Sequence, residues 1–203
     1  MAIIDLFDRG WRINPTGVAY VQDDVETTFQ EAGELSCRVA NALLADGFQS
    51  GTNGAIWAGN DVTAWICALG LWRANVAWIP VDAHKTPEGN RDILDDFDCE
   101  VVFFQAAFAS VIEPLRAQLP KVRSWICIDS DAADAISLED WIADQPSTDP
   151  AVQVSLDDTV TLSSTGGTTG KPKGVMNTHR SLQTCVAHFM LAFPCAADEK
   201  PVN

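Results

Sequence analysis

The sequence predicts an α/β fold: a layered, mostly parallel sheet flanked by helices. Two observations carry this. Short apolar runs rich in Val, Ile, Phe and Trp recur along the chain: "GAIWAG", "VAWIPV", "EVVFF" and "VRSWICI". Between them lie stretches of helical length, several with a capping signal at the start. Alternating strands and helices are the pattern of parallel strands joined by crossover helices. At 203 residues and 47% hydrophobic, the chain can bury a sizeable core.

The elements follow in order. "IIDLFDRGWR" reads as a short helix, then "VAYV" and "VETT" as a hairpin turning at Gln22, Asp23 and Asp24. Thr28 and Glu31 form a capping box. Phe29, Ala32, Leu35, Val39, Ala42 and Leu43 then share one helical face, and Gly47 stops the helix. Strand 54–59 leads to a helix over 61–75 capped by Asp61. Strand 76–81 leads to a helix opened by Thr86 and Pro87 and running to about Asp96. Strand 100–104, the helix "FASVIEPLRAQL", strand 122–128 and the helix "SLEDWIADQ" continue the alternation. Residues 145–156 are linker-like, which divides the chain into a scaffold over 1–144 and a segment over 157–203. In that segment 158–164 is a strand, 175–179 is extended, and Arg180 to about Leu191 is helical.

Charge narrows the function. With 28 acidic and 13 basic residues the formal net charge is −15. A nucleic-acid binder needs a basic face, so nucleic acid is not an expected partner. An anionic membrane surface is disfavoured for the same reason. No apolar run has the length of a membrane span, and the start "MAIIDLFDRG" lacks a basic n-region. Cys37, Cys67, Cys99, Cys127, Cys185 and Cys195 include no Cys-x-x-Cys pair and read as reduced, mostly core-filling thiols of a cytoplasmic protein.

Other candidates read as structural. His84, His179 and His188 have no metal spacing; His179 ends a strand, and His188 reads as a satisfied core or edge histidine. The seven tryptophans read as core. The acid pairs Asp95-Asp96 and Asp157-Asp158 read as solvated.

One stretch stands apart. "STGGTTGKPKG" (164–174) follows a strand. Gly166, Gly167 and Gly170 let backbone amides converge on one point. Thr165, Thr168 and Thr169 add hydroxyls, and Lys171 and Lys173 add charge. No acid lies between Asp158 and Asp198, so this is a basic island in an acidic chain. Converging amides, hydroxyls and ammonium groups suit a polyphosphate. It is not a Walker loop: Pro172 follows Gly170-Lys171, and Thr165 stands where the first glycine belongs.

"TLSSTGGTTGKPKGVMNTHRSL" resembles the signature of the adenylate-forming superfamily, which comprises acyl- and aryl-CoA ligases, adenylation domains of nonribosomal peptide synthetases, and luciferases. Thr165, Gly167, Thr168, Thr169, Gly170, Pro172, Lys173 and Gly174 match its pattern, and Thr178-His179 follow. Gly166 departs from a frequent serine, a mild hint of an acyl-CoA ligase. "TTFQEAGELSCRVANALLADGFQSG" and "LGLWRANVAWIPVD" are similar to further segments of the family, with Asn75 in place of a usual glycine and Thr52-Asn53 in place of Gly-Asp.

The resemblance implies an N-terminal portion of a ligase that activates a carboxylic acid with ATP and Mg2+ as an acyl-adenylate and passes it to coenzyme A. It places the β- and γ-phosphates on Thr165, Gly166, Gly167, Thr168, Thr169 and Lys173. It also implies a missing C-terminal part: the family's aromatic-Gly-x-Thr-Glu and Thr-Gly-Asp motifs are not found here, and its catalytic lysine belongs to a small C-terminal domain absent from this chain. No catalytic residue is therefore assigned, and the chain alone is expected to be inactive. The alternatives are an adenylation domain that loads a carrier protein, and an inactive remnant acting as a binding module.

Overall fold

In a strand, alternate side chains point to opposite faces, and both faces of this sheet are apolar. In the computed structural model, which describes residues 2–130, 135–165 and 173–193, strand β3 (Asn53–Trp57) sends Ile56 to one face and Ala55 and Trp57 to the other. Strand β5 (Cys99–Phe104) divides Val101 and Phe103 from Val102 and Phe104 in the same way. Strands buried on both faces need helices on both sides. Helices α2 (Phe29–Ala45) and α3 (Val62–Arg73) cover the first face, and α4 (Pro87–Asp96) and α5 (Ala109–Arg116) the second.

The remaining elements are α1 (Ile4–Ile13), β1 (Val18–Gln22), β2 (Val25–Thr28), β4 (Ala77–Pro80), β6 (Ser124–Cys127), β7 (Ile136–Ser137), α6 (Leu138–Ile142), β8 (Thr159–Thr165), β9 (Lys173–Thr178) and α7 (His179–Ala192). The main sheet runs β7-β6-β5-β3-β4-β8-β9. Every neighbouring pair is parallel except β8 and β9, which form an antiparallel hairpin. The expected mostly parallel, layered α/β sheet is the observed one.

Local chemistry sets the boundaries. Thr28 and Glu31 make the predicted capping box on α2, Asp61 accepts from the Ala64 amide at the start of α3, and Thr86 accepts from Gly89 at the start of α4. Gly47, at φ +79°, ends α2 in the left-handed region. The hairpin turn is tighter than expected: Gln22 belongs to β1, and Asp23 and Asp24 alone make the turn with φ of 50° and 64°. Two consecutive positive φ angles match the twist of the flanking strands. Strand β7, two residues long, carried no signal in the sequence. Residues 145–156 hold no helix or strand but are tied to α2: Arg38 donates to the Gln145 carbonyl and Asn41 to those of Pro146 and Thr148.

Asn75 lies in the left-handed region at φ +57°. Few residues other than glycine adopt this conformation cheaply. Here asparagine adds a bond that glycine cannot make, its side-chain amide donating to Asp158 Oδ2 at 2.8 Å. Asp158 also accepts from the Ser155 amide, and these bonds hold its carboxyl below the usual range. It is thus a clasp at the start of β8 rather than a merely solvated acid. Its neighbour Asp157 is exposed and pairs with Arg180.

The tryptophans pack largely as expected. Trp65, Trp72 and Trp78 meet edge to face, although Trp65 is also partly exposed. Cys37, Cys67, Cys99 and Cys127 are buried, Cys185 is exposed, and Cys195 lies outside the described residues. Burial pushes the Cys67 thiol above its ordinary value and raises Cys37 to about 11. These are not activated nucleophiles.

Candidate functional site

The hairpin of β8 and β9 builds the site. β8 runs beside β4 in parallel, so Thr165 marks a carboxyl end of the sheet. Ligands of open α/β sheets bind outside those ends. The antiparallel register sets Thr165 opposite Lys173 and Ser164 opposite Gly174, which brings the two ends of the glycine-rich stretch together. The Thr165 hydroxyl donates to the Lys173 carbonyl at 3.1 Å, and both residues are exposed. Gly166, Gly167, Thr168 and Thr169, the other residues expected to cradle phosphate, lie outside the described residues, as do Gly170, Lys171 and Pro172.

Gly174 has a visible reason. An ideal Cβ there would fall 2.8 Å from Cε1 of Phe97, at the end of α4, so the hairpin packs closest where no side chain stands. The following Thr178-His179 pair fixes the other end of β9. Thr178 caps α7 by accepting from the Ser181 amide. His179 is buried, and its Nδ1 accepts from the Ile3 amide at 3.2 Å. The pair joins the hairpin to α1 and is structural, as expected.

Burial lowers the His179 pKa below 6.5, against the opposing pull of Asp158 and Asp5. The sign follows from proton counting. Below about pH 6.5 the unfolded chain binds a proton that folded His179 refuses, so stability falls as pH drops through that window, by at most about 1.4 kcal/mol per unit. Urea unfolding at pH 7.5, 6.5 and 5.5 should show this loss in the wild type and less of it in His179→Gln. Equal slopes in the two proteins would contradict it.

His188 corrects an expectation. It is exposed, because α7 packs on the body through Leu182 and Val186, and its later turns pass beyond that contact. Phe189, Met190, Leu191 and Phe193 are between 63% and 80% exposed among the described residues.

Nothing in the sequence singles out Lys85. It lies in the turn between β4 and α4, and its Nζ donates to Ser164 Oγ at 2.9 Å, one residue from Thr165. A lone lysine 79 residues from its partner leaves no local trace in the sequence.

A cavity of about 590 Å³ opens where β3, β4 and β8 begin. Asp96, Asp98, Asp157 and Asp158 line it with Asn53 and Asn75, so its charge is wrong for a polyphosphate. Leu162, Gly174 and Met176 also line it, so the acidic cavity abuts the strands of the hairpin. Among the described residues no group of three or more His, Cys, Asp or Glu side chains could hold a metal ion, and no helix is long and apolar enough to cross a membrane.

The fold is an open α/β sheet, and the two ends of the glycine-rich, basic stretch meet at one of its carboxyl ends. Residues 7–200 match the family model described as AMP-binding enzyme, and the chain belongs to that family. It is 30% identical over 180 residues to the long-chain-fatty-acid–CoA ligase FadD13 of Mycobacterium tuberculosis, covering 86% of this chain and 34% of that one. It is 29% identical over 181 residues to part of tyrocidine synthase 3 of Brevibacillus parabrevis, covering 89% of this chain and 3% of that one. The inhibitor-bound N-terminal domain of FACL13 from Mycobacterium tuberculosis superposes with a TM-score of 0.81 at 29% identity, covering 90% of this chain and 45% of that one. The anthranilate CoA ligase AuaEII shares the fold at 24% identity and a TM-score of 0.84, covering 89% of this chain and 35% of that one. The chain spans about a third of the length of FadD13.

Proposed function

We propose that this chain is the N-terminal portion of an AMP-forming acid–thiol ligase, and that it supplies the phosphate cradle. The observation that carries the reading is the β8–β9 hairpin, which sets Thr165 and Lys173 together at a carboxyl end of the sheet. In this reaction a carboxylate attacks the α-phosphorus of ATP, the bond to the β-phosphate oxygen breaks, and pyrophosphate leaves. A thiol, that of coenzyme A, then attacks the acyl carbonyl and AMP leaves.

Negative charge grows on the departing pyrophosphate, and donors already in place stabilise it at no reorganisation cost. The proposed donors are Thr165, Gly166, Gly167, Thr168, Thr169 and Lys173. Magnesium bound to the nucleotide would neutralise part of that charge. Fatty acid is the favoured carboxylate because of the similarity to FadD13, and a cytoplasmic setting accords with the four buried thiols. The similarity to tyrocidine synthase 3 keeps a second reading, a carrier-loading adenylation domain.

The test is palmitate-dependent exchange of pyrophosphate into ATP. We expect none from the 203-residue chain alone: holding the reactants in place supplies roughly 7–11 kcal/mol of barrier lowering, and a cradle for phosphate alone cannot supply it. We expect exchange from a graft in which residues 1–203 replace the matching third of FadD13. A folded graft without exchange would remove the proposal. Robust exchange by the chain alone would show that no further segment is needed.

A further inference from the structure

We propose that Lys85 is a further anion-contacting residue of this site, meeting the pyrophosphate end of a nucleoside triphosphate. The inference rests on the reading of the hairpin as the phosphate site, and it adds a residue that lies outside the glycine-rich motif.

Position is the first argument. β4 and β8 are neighbours in the sheet, and Lys85 follows the carboxyl end of one while Ser164 lies at the carboxyl end of the other. The 2.9 Å bond from Lys85 Nζ to Ser164 Oγ therefore bridges the mouth where a ligand of such a sheet is expected. Ser164 is opposite Gly174 and next to Thr165, so the ammonium stands at the loop end of the hairpin.

The partner is the second argument. In a chain with 28 acidic and 13 basic residues, carboxylates are the abundant partners for a lysine. Arg73, Arg91, Lys121, Arg123 and Arg180 each have one, while among the described residues Arg9, Arg12 and Arg38 do not. Among the described residues Lys85 is bonded instead to a neutral hydroxyl, and neither it nor Lys173 is in an ion pair. A half-buried ammonium positioned by a hydroxyl keeps its charge available to an anion.

The third argument is the rigidity of the support. The Lys85 amide donates to the Asp82 carbonyl, and the buried Asn90 donates its side-chain amide to the same carbonyl. Asp82 Oδ1 accepts from the His84 amide, and Thr86 caps α4 immediately afterwards. The turn is held on both sides, so the lysine is presented by a fixed piece of backbone.

Isothermal titration of inorganic pyrophosphate into the 203-residue chain tests this, with Lys85→Met, Lys85→Arg and Lys173→Met compared at one ionic strength. Circular dichroism checks that each variant is folded. Saturable binding should weaken about 5- to 10-fold in Lys85→Met and by a similar factor in Lys173→Met, and Lys85→Arg should recover most of the loss. A purely structural lysine would give no such rescue keyed to charge. Unchanged binding in Lys85→Met with weakened binding in Lys173→Met would remove Lys85 and leave the hairpin reading standing. Absence of saturable binding in the wild type would overturn both.

Discussion

Asp8→Ala should cost about 3–5 kcal/mol of folding stability, the loss typical of breaking one partner out of a buried ion pair. Arg73 is 3% exposed at the end of α3. Asp8, on α1, meets it with both oxygens, at 2.6 and 3.2 Å, while Ser36 of α2 accepts from its Nε. Removing Asp8 leaves a guanidinium that cannot shed its charge, with Asp149 as the remaining carboxylate and that side chain half exposed. A whole domain is stable by only about 5–15 kcal/mol, so the loss would be visible as a large drop in urea midpoint. Arg73→Met with Asp8→Leu should recover much of it, because an apolar pair of similar volume removes the stranded charge. A shift of under about 1 kcal/mol in Asp8→Ala would show that Asp149 and Ser36 suffice.

In the FadD13 graft, Lys173→Ala should cut adenylation about 100-fold or more while leaving the fold unchanged. The side chain is exposed at the first position of β9 and packs into none of the apolar clusters, so truncation makes no cavity. The cost falls instead on the transition state, where one preplaced donor is worth roughly 3 kcal/mol. Thr165 faces the same place, but its hydroxyl is engaged with the Lys173 carbonyl, and its removal should cost less.

Where the chemistry is local, the sequence was readable. Thr28 with Glu31, Asp61, and Thr86 before Pro87 each mark a helix start within four residues, and all three caps are present. The strands of the parallel sheet announced themselves because burial on both faces leaves nearly unbroken apolar runs. Long-range partners were not legible. Lys85 meets Ser164 and Asn75 meets Asp158 across 79 and 83 residues, and neither lysine nor asparagine predicts its partner from its neighbours. His188 misled for a related reason: "CVAHFMLAF" looks like a buried helix, yet burial depends on what packs against it. For the candidate site, the sequence predicts a strand over 158–164 and an extended stretch over 175–179, and the structure pairs them as the antiparallel hairpin of Thr159–Thr165 and Lys173–Thr178.

One rate decides whether this hairpin holds the phosphates of ATP in an acid-activating ligase. It is the initial rate of palmitate-dependent pyrophosphate exchange into ATP by the FadD13 graft, with and without Lys173→Ala. Exchange is expected in the parent graft, with a fall of about 100-fold or more in the variant. Equal rates in two folded proteins would contradict it.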